Sequence, residues 1–280
     1  MLKQRIITAI VIAVVFLLAL FSLSPYSFSL AVAVVVIYAA WEWSDLSGIS
    51  GLPLRLTYTA VLAVLLVVIA YVLGLPAEGS IQLTSGRSLL MTMVPWWAIA
   101  LLWVQGYPSS AILWGSCWVR GIMGFLVLVP TWSALVILIH SAQGQWMILL
   151  VVMIVALADI GAYFSGRHFG KHKLAQSVSP NKTWEGLLGG VVVNVVVVLL
   201  LGVILKLDSR TWGLLAVMIM ITALASVLGD LLESMLKRHR GIKDSGNILP
   251  GHGGILDRVD SLTAALPVFT LIYIYSGIQF

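Results

Sequence analysis

Two polar stretches hold most of the side chains able to do chemistry. The first opens with Asp159-Ile-Gly-Ala-Tyr163, passes through Arg167, His168, Lys171, His172 and Lys173, and ends Ser179-Pro180-Asn181-Lys182-Thr183-Trp-Glu185-Gly186. The second runs Asp230-Leu-Leu-Glu233-Ser234-Met-Leu-Lys237-Arg238, then Lys243-Asp244-Ser245-Gly246 and His252-Gly253-Gly254-Ile-Leu-Asp257-Arg258-Val-Asp260-Ser261. Asp159 and Asp230 lie in or at the ends of apolar runs, where a carboxylate costs a few kcal/mol unless it is paired or metal-bound. Asp230, Glu233, Ser234 and Lys237 follow i, i+3, i+4, i+7 spacing and share a helix face, as do Asp257, Asp260 and Ser261. These acids suit either an intramembrane ion-pair cluster with Lys237, Arg238 and Arg258 or a site for Mg²⁺, Mn²⁺ or Ca²⁺, which prefer hard oxygen ligands. The glycines at 246, 251, 253 and 254 let backbone N–H groups come close to an anion. With Lys237, Arg238, Lys243 and Arg258 alongside, the second stretch reads as a polyphosphate cradle next to a metal. That combination is what phosphoryl or nucleotidyl transfer requires.

Other chemistries fit poorly. Gly166-x3-Gly170-Lys171-His172 lacks the spacing and the Ser/Thr of a Walker A loop. No Gly-x-Ser-x-Gly elbow accompanies His252-Gly253-Gly254, and no His-Glu-x-x-His is present. The sole cysteine, Cys117, excludes an intramolecular disulfide framework and a cysteine-built metal site. His140 reads as structural, and His168 and His172 as solvated or phosphate-contacting loop residues.

The elements that must position these groups are membrane spans. Of 280 residues, 60% are hydrophobic and 10% charged, where soluble domains carry about 25% charge. Mean hydropathy is +1.06, and a soluble fold of this length cannot bury so much apolar surface. Crossing about 30 Å of hydrocarbon takes about 20 residues. Nine runs meet this need, near 6–22, 28–44, 57–75, 89–105, 119–140, 146–164, 187–205, 211–232 and 261–279. Lys3 and Arg5 before the first run also suit a signal peptide, but Pro25 follows the candidate cleavage point and no Ala-x-Ala pattern appears, so an uncleaved span is expected. No repeats or low-complexity linkers divide the chain. The expectation is an all-α polytopic transmembrane helix bundle, one membrane domain over 1–280, with tryptophans 41, 43, 96, 97, 146, 184 and 212 in an interfacial belt.

With the N-terminus cytoplasmic, thirteen of the sixteen Lys and Arg residues fall inside, and only Arg87, Lys206 and Arg210 outside. This is a strong positive-inside bias. It puts the C-terminus in the periplasm and both polar loops, 165–185 and 233–260, in the cytoplasm. Nine of the eleven acids fall on that same side, which a purely topological role for the bases does not explain.

The second stretch resembles the signature of the phosphatidate cytidylyltransferase (CDP-diacylglycerol synthase) family. The matching residues are Ser234-x-Leu236-Lys237-Arg238-x4-Lys243-Asp244-x-Gly246-x2-Leu249-Pro250-x-His252-Gly253-Gly254-Ile255-x-Asp257-Arg258-Val259-Asp260. Ala158-Asp159-x-Gly161-Ala162-Tyr163 and Ser179-Pro180-x-Lys182-Thr183-x-Glu185-Gly186 resemble that family's other marked segment, with Ile160 where members usually carry Ser or Thr. The resemblance is specific over 158–267. It implies transfer of the cytidylyl group of CTP to phosphatidic acid, giving CDP-diacylglycerol and pyrophosphate, with Mg²⁺ required and a second, monovalent cation left open.

By that resemblance Asp230 and Asp257 hold the metal, with Asp260 and Asp159 as further ligands or their neighbours, and Lys237, Arg238 and Lys243 neutralise phosphate charge. Ser179, Lys182 and Thr183 hold either the phosphatidate headgroup or the triphosphate. His252, Gly253 and Gly254 shape the nucleotide loop, with Asp244 and Arg258 in the same substrate-binding stretch. The implied setting is a multi-pass protein of the bacterial inner membrane with its active site toward the cytoplasm. Its partners would be CTP and phosphatidic acid, with no nucleic acid, and a homodimer is allowed. The main rival is a transporter or channel for a phosphorylated solute. It would place charged or broken sites in both halves, whereas the first four spans hold few ionisable groups beyond Glu42 and Asp45.

Overall fold

The computed structural model describes residues 2–75 and 81–277. Its elements are α1 (Leu2–Ser22), α2 (Pro25–Leu46), α3 (Leu52–Val72), α4 (Leu83–Met91), α5 (Met93–Gln105), α6 (Ala111–Trp114), α7 (Cys117–Ile139) and α8 (Gly144–Phe169). A β-hairpin follows, formed by β1 (Lys173–Ala175) and β2 (Ser179–Thr183), and then α9 (Trp184–Ile204), α10 (Ser209–Arg240) and α11 (Leu256–Ser276). Among the described residues, eight helical segments are long and apolar enough to cross a membrane, α4 and α5 counting as one broken span; α1 contributes a shorter apolar run, Ile6–Ser22. The nine runs read from the sequence are these nine. Phe280, the end of the chain, lies outside the described residues.

The most buried span is α7, packed between α2, α3, α8 and α11. Pro267 in α11 has no N–H for the Thr263 carbonyl, and the Thr131 hydroxyl of α7 lies 3.0 Å from that oxygen. A partner from a neighbouring helix is what hydrocarbon demands of an orphaned carbonyl. The α8–α9 pair approaches closely through small residues: a Cβ on Gly161 would lie 2.8 Å from the Gly189 carbonyl oxygen. Asn194, fully buried in the middle of α9, donates to Ile154 O of α8.

Two expectations change here. The stretch 165–185 is not simply a loop, because α8 continues to Phe169 and the hairpin pairs Lys173 with Thr183 and Ala175 with Ser179. Nor is the tryptophan belt general. Trp43, Trp96 and Trp97 are core residues, whereas Trp146 and Trp184 are more than half exposed. Trp43 donates its indole N–H to Arg120 O, so packing between helices uses its polar handle.

One end of the bundle gathers the chemistry. The end of α2, the start of α7, the end of α10 and the start of α11 meet there. Arg120 Nη1 reaches Leu46 O, and Arg240 pairs with Asp45 at 3.6 Å. The hairpin is tied to the same end by Arg238 Nε, which donates to Val178 O.

Candidate active site

Helix α10 runs unbroken for 32 residues, about 48 Å at 1.5 Å per residue. That exceeds the hydrocarbon thickness, so its last turns have room to stand at the headgroup level. The face foreseen from the spacing exists. Lys237 Nζ lies 3.1 Å from Glu233 Oε1 and 2.8 Å from Asp257 Oδ1, with side-chain exposures of 12%, 3% and 4%. Any of these charges left unpaired at such burial would be strongly destabilising. The other oxygen of Asp257, Oδ2, accepts from Ser245 N at 2.8 Å, Gly254 N at 2.8 Å and Ser245 Oγ at 3.0 Å.

A second cluster adjoins it. Lys182, carried on β2, places Nζ 2.6 Å from Asp230 Oδ2, and Ser234 Oγ donates to Asp230 Oδ1 at 3.0 Å. Asp260 is within electrostatic reach of Asp230, Lys237 and Lys182, and Asp159 of Lys182 and Asp230. The two polar stretches therefore meet through the Lys182–Asp230 pair. Five carboxyl groups (Asp159, Asp230, Glu233, Asp257 and Asp260) gather around two ammonium groups, so acids outnumber bases at this spot.

The remaining candidates divide. Lys243, Asp244 and Arg258 are exposed, and Lys243 and Arg258 make no ion pair among the described residues. Buried His252 Nδ1 has no hydrogen-bond partner among them. Ser179 lies at the start of β2. Thr183 caps α9, its hydroxyl oxygen accepting from Gly186 N at 3.1 Å. Arg238 is engaged with the hairpin rather than with an acid, so the ion-pair partners foreseen as Lys237, Arg238 and Arg258 are instead Lys237 and Lys182. His172 belongs to a local clamp in which Glu185 accepts from its ring at 2.6 Å and from the Lys171 and His172 amides. His140 caps α7 through Val136 O. Ile160 is exposed and brings no ligand oxygen.

Four amides of the glycine-rich loop and the start of α11 serve carboxylates of the protein itself. The amides of Ser245 and Gly254 point at Asp257, so they serve an internal carboxylate. Ile255 N and Leu256 N point at a second one, Glu42 of α2, at 3.0 and 2.8 Å. Glu42 is 2% exposed and was not among the sequence-derived site residues. The signal was present: it is an acid inside an apolar run, which is the argument that singled out Asp159 and Asp230.

The donor set suits a hard cation. Asp257 Oδ1 carries only the Lys237 contact and Asp230 Oδ2 only the Lys182 contact among the described residues. A carboxylate oxygen has two acceptor directions, so each keeps one. No three His, Cys, Asp or Glu residues among the described ones enclose an ion. Mg²⁺ does not need that, since it commonly takes one or two protein carboxylates and completes its shell with waters and phosphate oxygens.

Beside Lys182 opens a cavity of about 210 Å³ whose polar lining is Asp159, Asn181, Lys182 and Thr183 and whose apolar lining includes Leu187, Val191, Ala223 and Val227. A charged end joined to an apolar trough matches an amphiphile with an anionic head.

Residues 3–276 match the model of the Cytidylyltransferase family. The chain is 44% identical over 277 residues to a phosphatidate cytidylyltransferase of Pseudomonas aeruginosa, covering 99% of this chain and 98% of that protein. It is 39% identical over 293 residues to one of Haemophilus influenzae, covering 98% and 99%. With one of Staphylococcus epidermidis it shares 48% identity over 133 residues, about half of each chain.

Proposed function

The chain belongs to the cytidylyltransferase family, and from that membership we propose that it transfers the cytidylyl group of CTP to phosphatidic acid, giving CDP-diacylglycerol and pyrophosphate for phospholipid biosynthesis. A phosphate oxygen of phosphatidate attacks the α-phosphorus of CTP. The bond from the α-phosphorus to the bridging α–β oxygen breaks, and its electron pair leaves with pyrophosphate. The nucleophile is already ionised, so the protein's work is charge neutralisation and in-line placement. The observation that carries the reading is the pairing of Lys182, which lines the amphiphilic cavity, with Asp230, two turns of α10 before Lys237. Lys182 takes the lipid phosphate, with Asn181 and Ser179 on the same strand beside it. Lys243 and Arg258, exposed and without acidic partners among the described residues, take the triphosphate, and His252 shapes the loop that carries them.

Asp230 and Asp257, with Asp260 and Asp159 behind them, are the residues that would hold Mg²⁺. When bound, the ion would supply positive charge against the phosphates. The excess of carboxylates over lysines supports this, as does the oxygen-only donor set. Both clusters come from one chain, so the reaction itself does not call for a second copy. A transporter reading gains nothing, because the charged groups pair with each other at one end of the bundle. Purified protein given radiolabelled CTP and phosphatidate should form a labelled lipid that depends on Mg²⁺; no labelled product would refute the assignment.

The cytoplasmic side for this end of the bundle rests on the lysine and arginine count. A reporter fused after Ser245 should read as cytoplasmic and one at Phe280 as periplasmic. A periplasmic signal after Ser245 would remove access to CTP.

Lys243→Ala should raise the KM for CTP, since a charge-assisted contact is worth about 1.5–3 kcal/mol, or about ten- to a hundred-fold in kcat/KM. Lys173→Ala, on β1 and outside the Ser-Pro-x-Lys-Thr segment, should change it far less. Equal losses from the two would mean that general surface charge, not a site, attracts the nucleotide.

A further inference from the structure

Helix α11 begins at Leu256 without a side-chain cap from its own flanking residues. Its first N–H groups carry partial positive charge and need acceptors. Glu42, more than two hundred residues earlier on α2, supplies them: Oε1 accepts from Ile255 N and Oε2 from Leu256 N. The next residue on α11 is Asp257. Ser245 Oγ stands between the two carboxylates, 3.0 Å from Asp257 Oδ2 and 3.4 Å from Glu42 Oε2. The loop closes tightly over Glu42. A Cβ on Gly254 would lie 2.6 Å from both of its carboxylate oxygens, and one on Gly246 would overlap Oε1. The glycines at 246 and 254 are thus accounted for by Glu42 rather than by a bound phosphate.

We propose that Glu42 is a positioning residue for cytidylyl transfer: by capping α11 and sharing Ser245 with Asp257, it sets where the Asp257 carboxylate stands. This rests on the reaction proposed above. Glu42 does not line the cavity beside Lys182, so its part is played through the Ser245–Gly254–Asp257 arrangement. It also ties the N-terminal spans, which otherwise carry little chemistry, to the reacting end of the molecule. Gln at position 42 keeps one acceptor oxygen but turns an NH₂ toward the other backbone N–H, so one of the two contacts must break and the loop must shift.

The test uses the full chain purified in detergent, with kcat expressed per folded molecule. Glu42→Gln should lower kcat about tenfold or more while the KM for CTP and for phosphatidate each stay within about threefold. Without substrates, the rise in melting temperature that Mg²⁺ produces should shrink, because the displaced Asp257 holds the ion less well. A purely structural anchor gives a different pattern, in which the melting temperature falls but kcat per folded molecule and the Mg²⁺ shift match wild type. That result overturns the proposal. If Glu42→Gln does not accumulate, Ser245→Ala carries the test: a lowered kcat with unchanged KM values is expected, and a wild-type kcat overturns it. A wild-type protein that forms no labelled lipid would sink the reaction assignment itself, a failure distinct from a normal kcat in the variants.

Discussion

Asp230→Asn is expected to fold and insert but to lose turnover by about 10²–10³-fold, the scale of removing one electrostatic contact to a transition state. Asparagine preserves the shape and an acceptor for Ser234, but it removes the charge that faces Lys182 at 2.6 Å. Asp257→Asn should lose as much turnover and also some stability, because its Oδ2 accepts two backbone N–H groups that an amide NH₂ would oppose. If both carboxylates act through one cation, the double variant should turn over scarcely more slowly than either single one, since groups acting as a unit are not additive. Pairs that only held helix ends together would instead give a lowered melting temperature with surviving molecules fully active. Turnover per folded protein across a Mg²⁺ titration separates these outcomes. Ordinary turnover by Asp230→Asn at ordinary Mg²⁺ would end the metal assignment.

Lys237→Ala should damage both the fold and the reaction. It strands Glu233 and Asp257, each at most 4% exposed, without their cation, and breaking a buried pair in this way costs about 3–5 kcal/mol. The melting temperature should fall clearly and turnover should fall at least a hundred-fold, about 2.7 kcal/mol in barrier. Adding Glu233→Gln removes one of the two stranded charges, so the double variant should recover part of the lost melting temperature. It should not recover turnover, because Asp257 still lacks the ammonium opposite Oδ1. Recovery of both would mean that Lys237 is a structural counter-ion with no share in catalysis.

Much of this molecule could be read from residue order alone. Among the described residues the nine apolar runs fall on eight long helical segments and the shorter run of α1, because a bilayer leaves a backbone no alternative to satisfying its own hydrogen bonds. The i, i+3, i+4, i+7 face of α10 is equally a local fact: once the helix forms, Asp230, Glu233, Ser234 and Lys237 must line up. The composition of the loops, acids with bases and glycines, pointed to nucleotidyl transfer. What periodicity and spacing do not contain is which charge meets which. Spacing makes Lys182 a substrate contact, and it does not reveal that the hairpin, folded back over α10, also brings Lys182 to Asp230. Arg238, a base that an ion-pair cluster would use, holds the hairpin by a backbone carbonyl. The glycine-rich loop suits an anion by composition, and only the fold shows that its Ser245, Gly254, Ile255 and Leu256 amides turn to Asp257 and Glu42. Glu42 joins the site across more than two hundred residues, a distance at which local pattern carries no information about contact. Span boundaries follow from each segment's own exchange of water for lipid, whereas these pairings follow from how the helices pack. In a low-dielectric interior each charge must find a partner, and only tertiary structure decides which one is within reach.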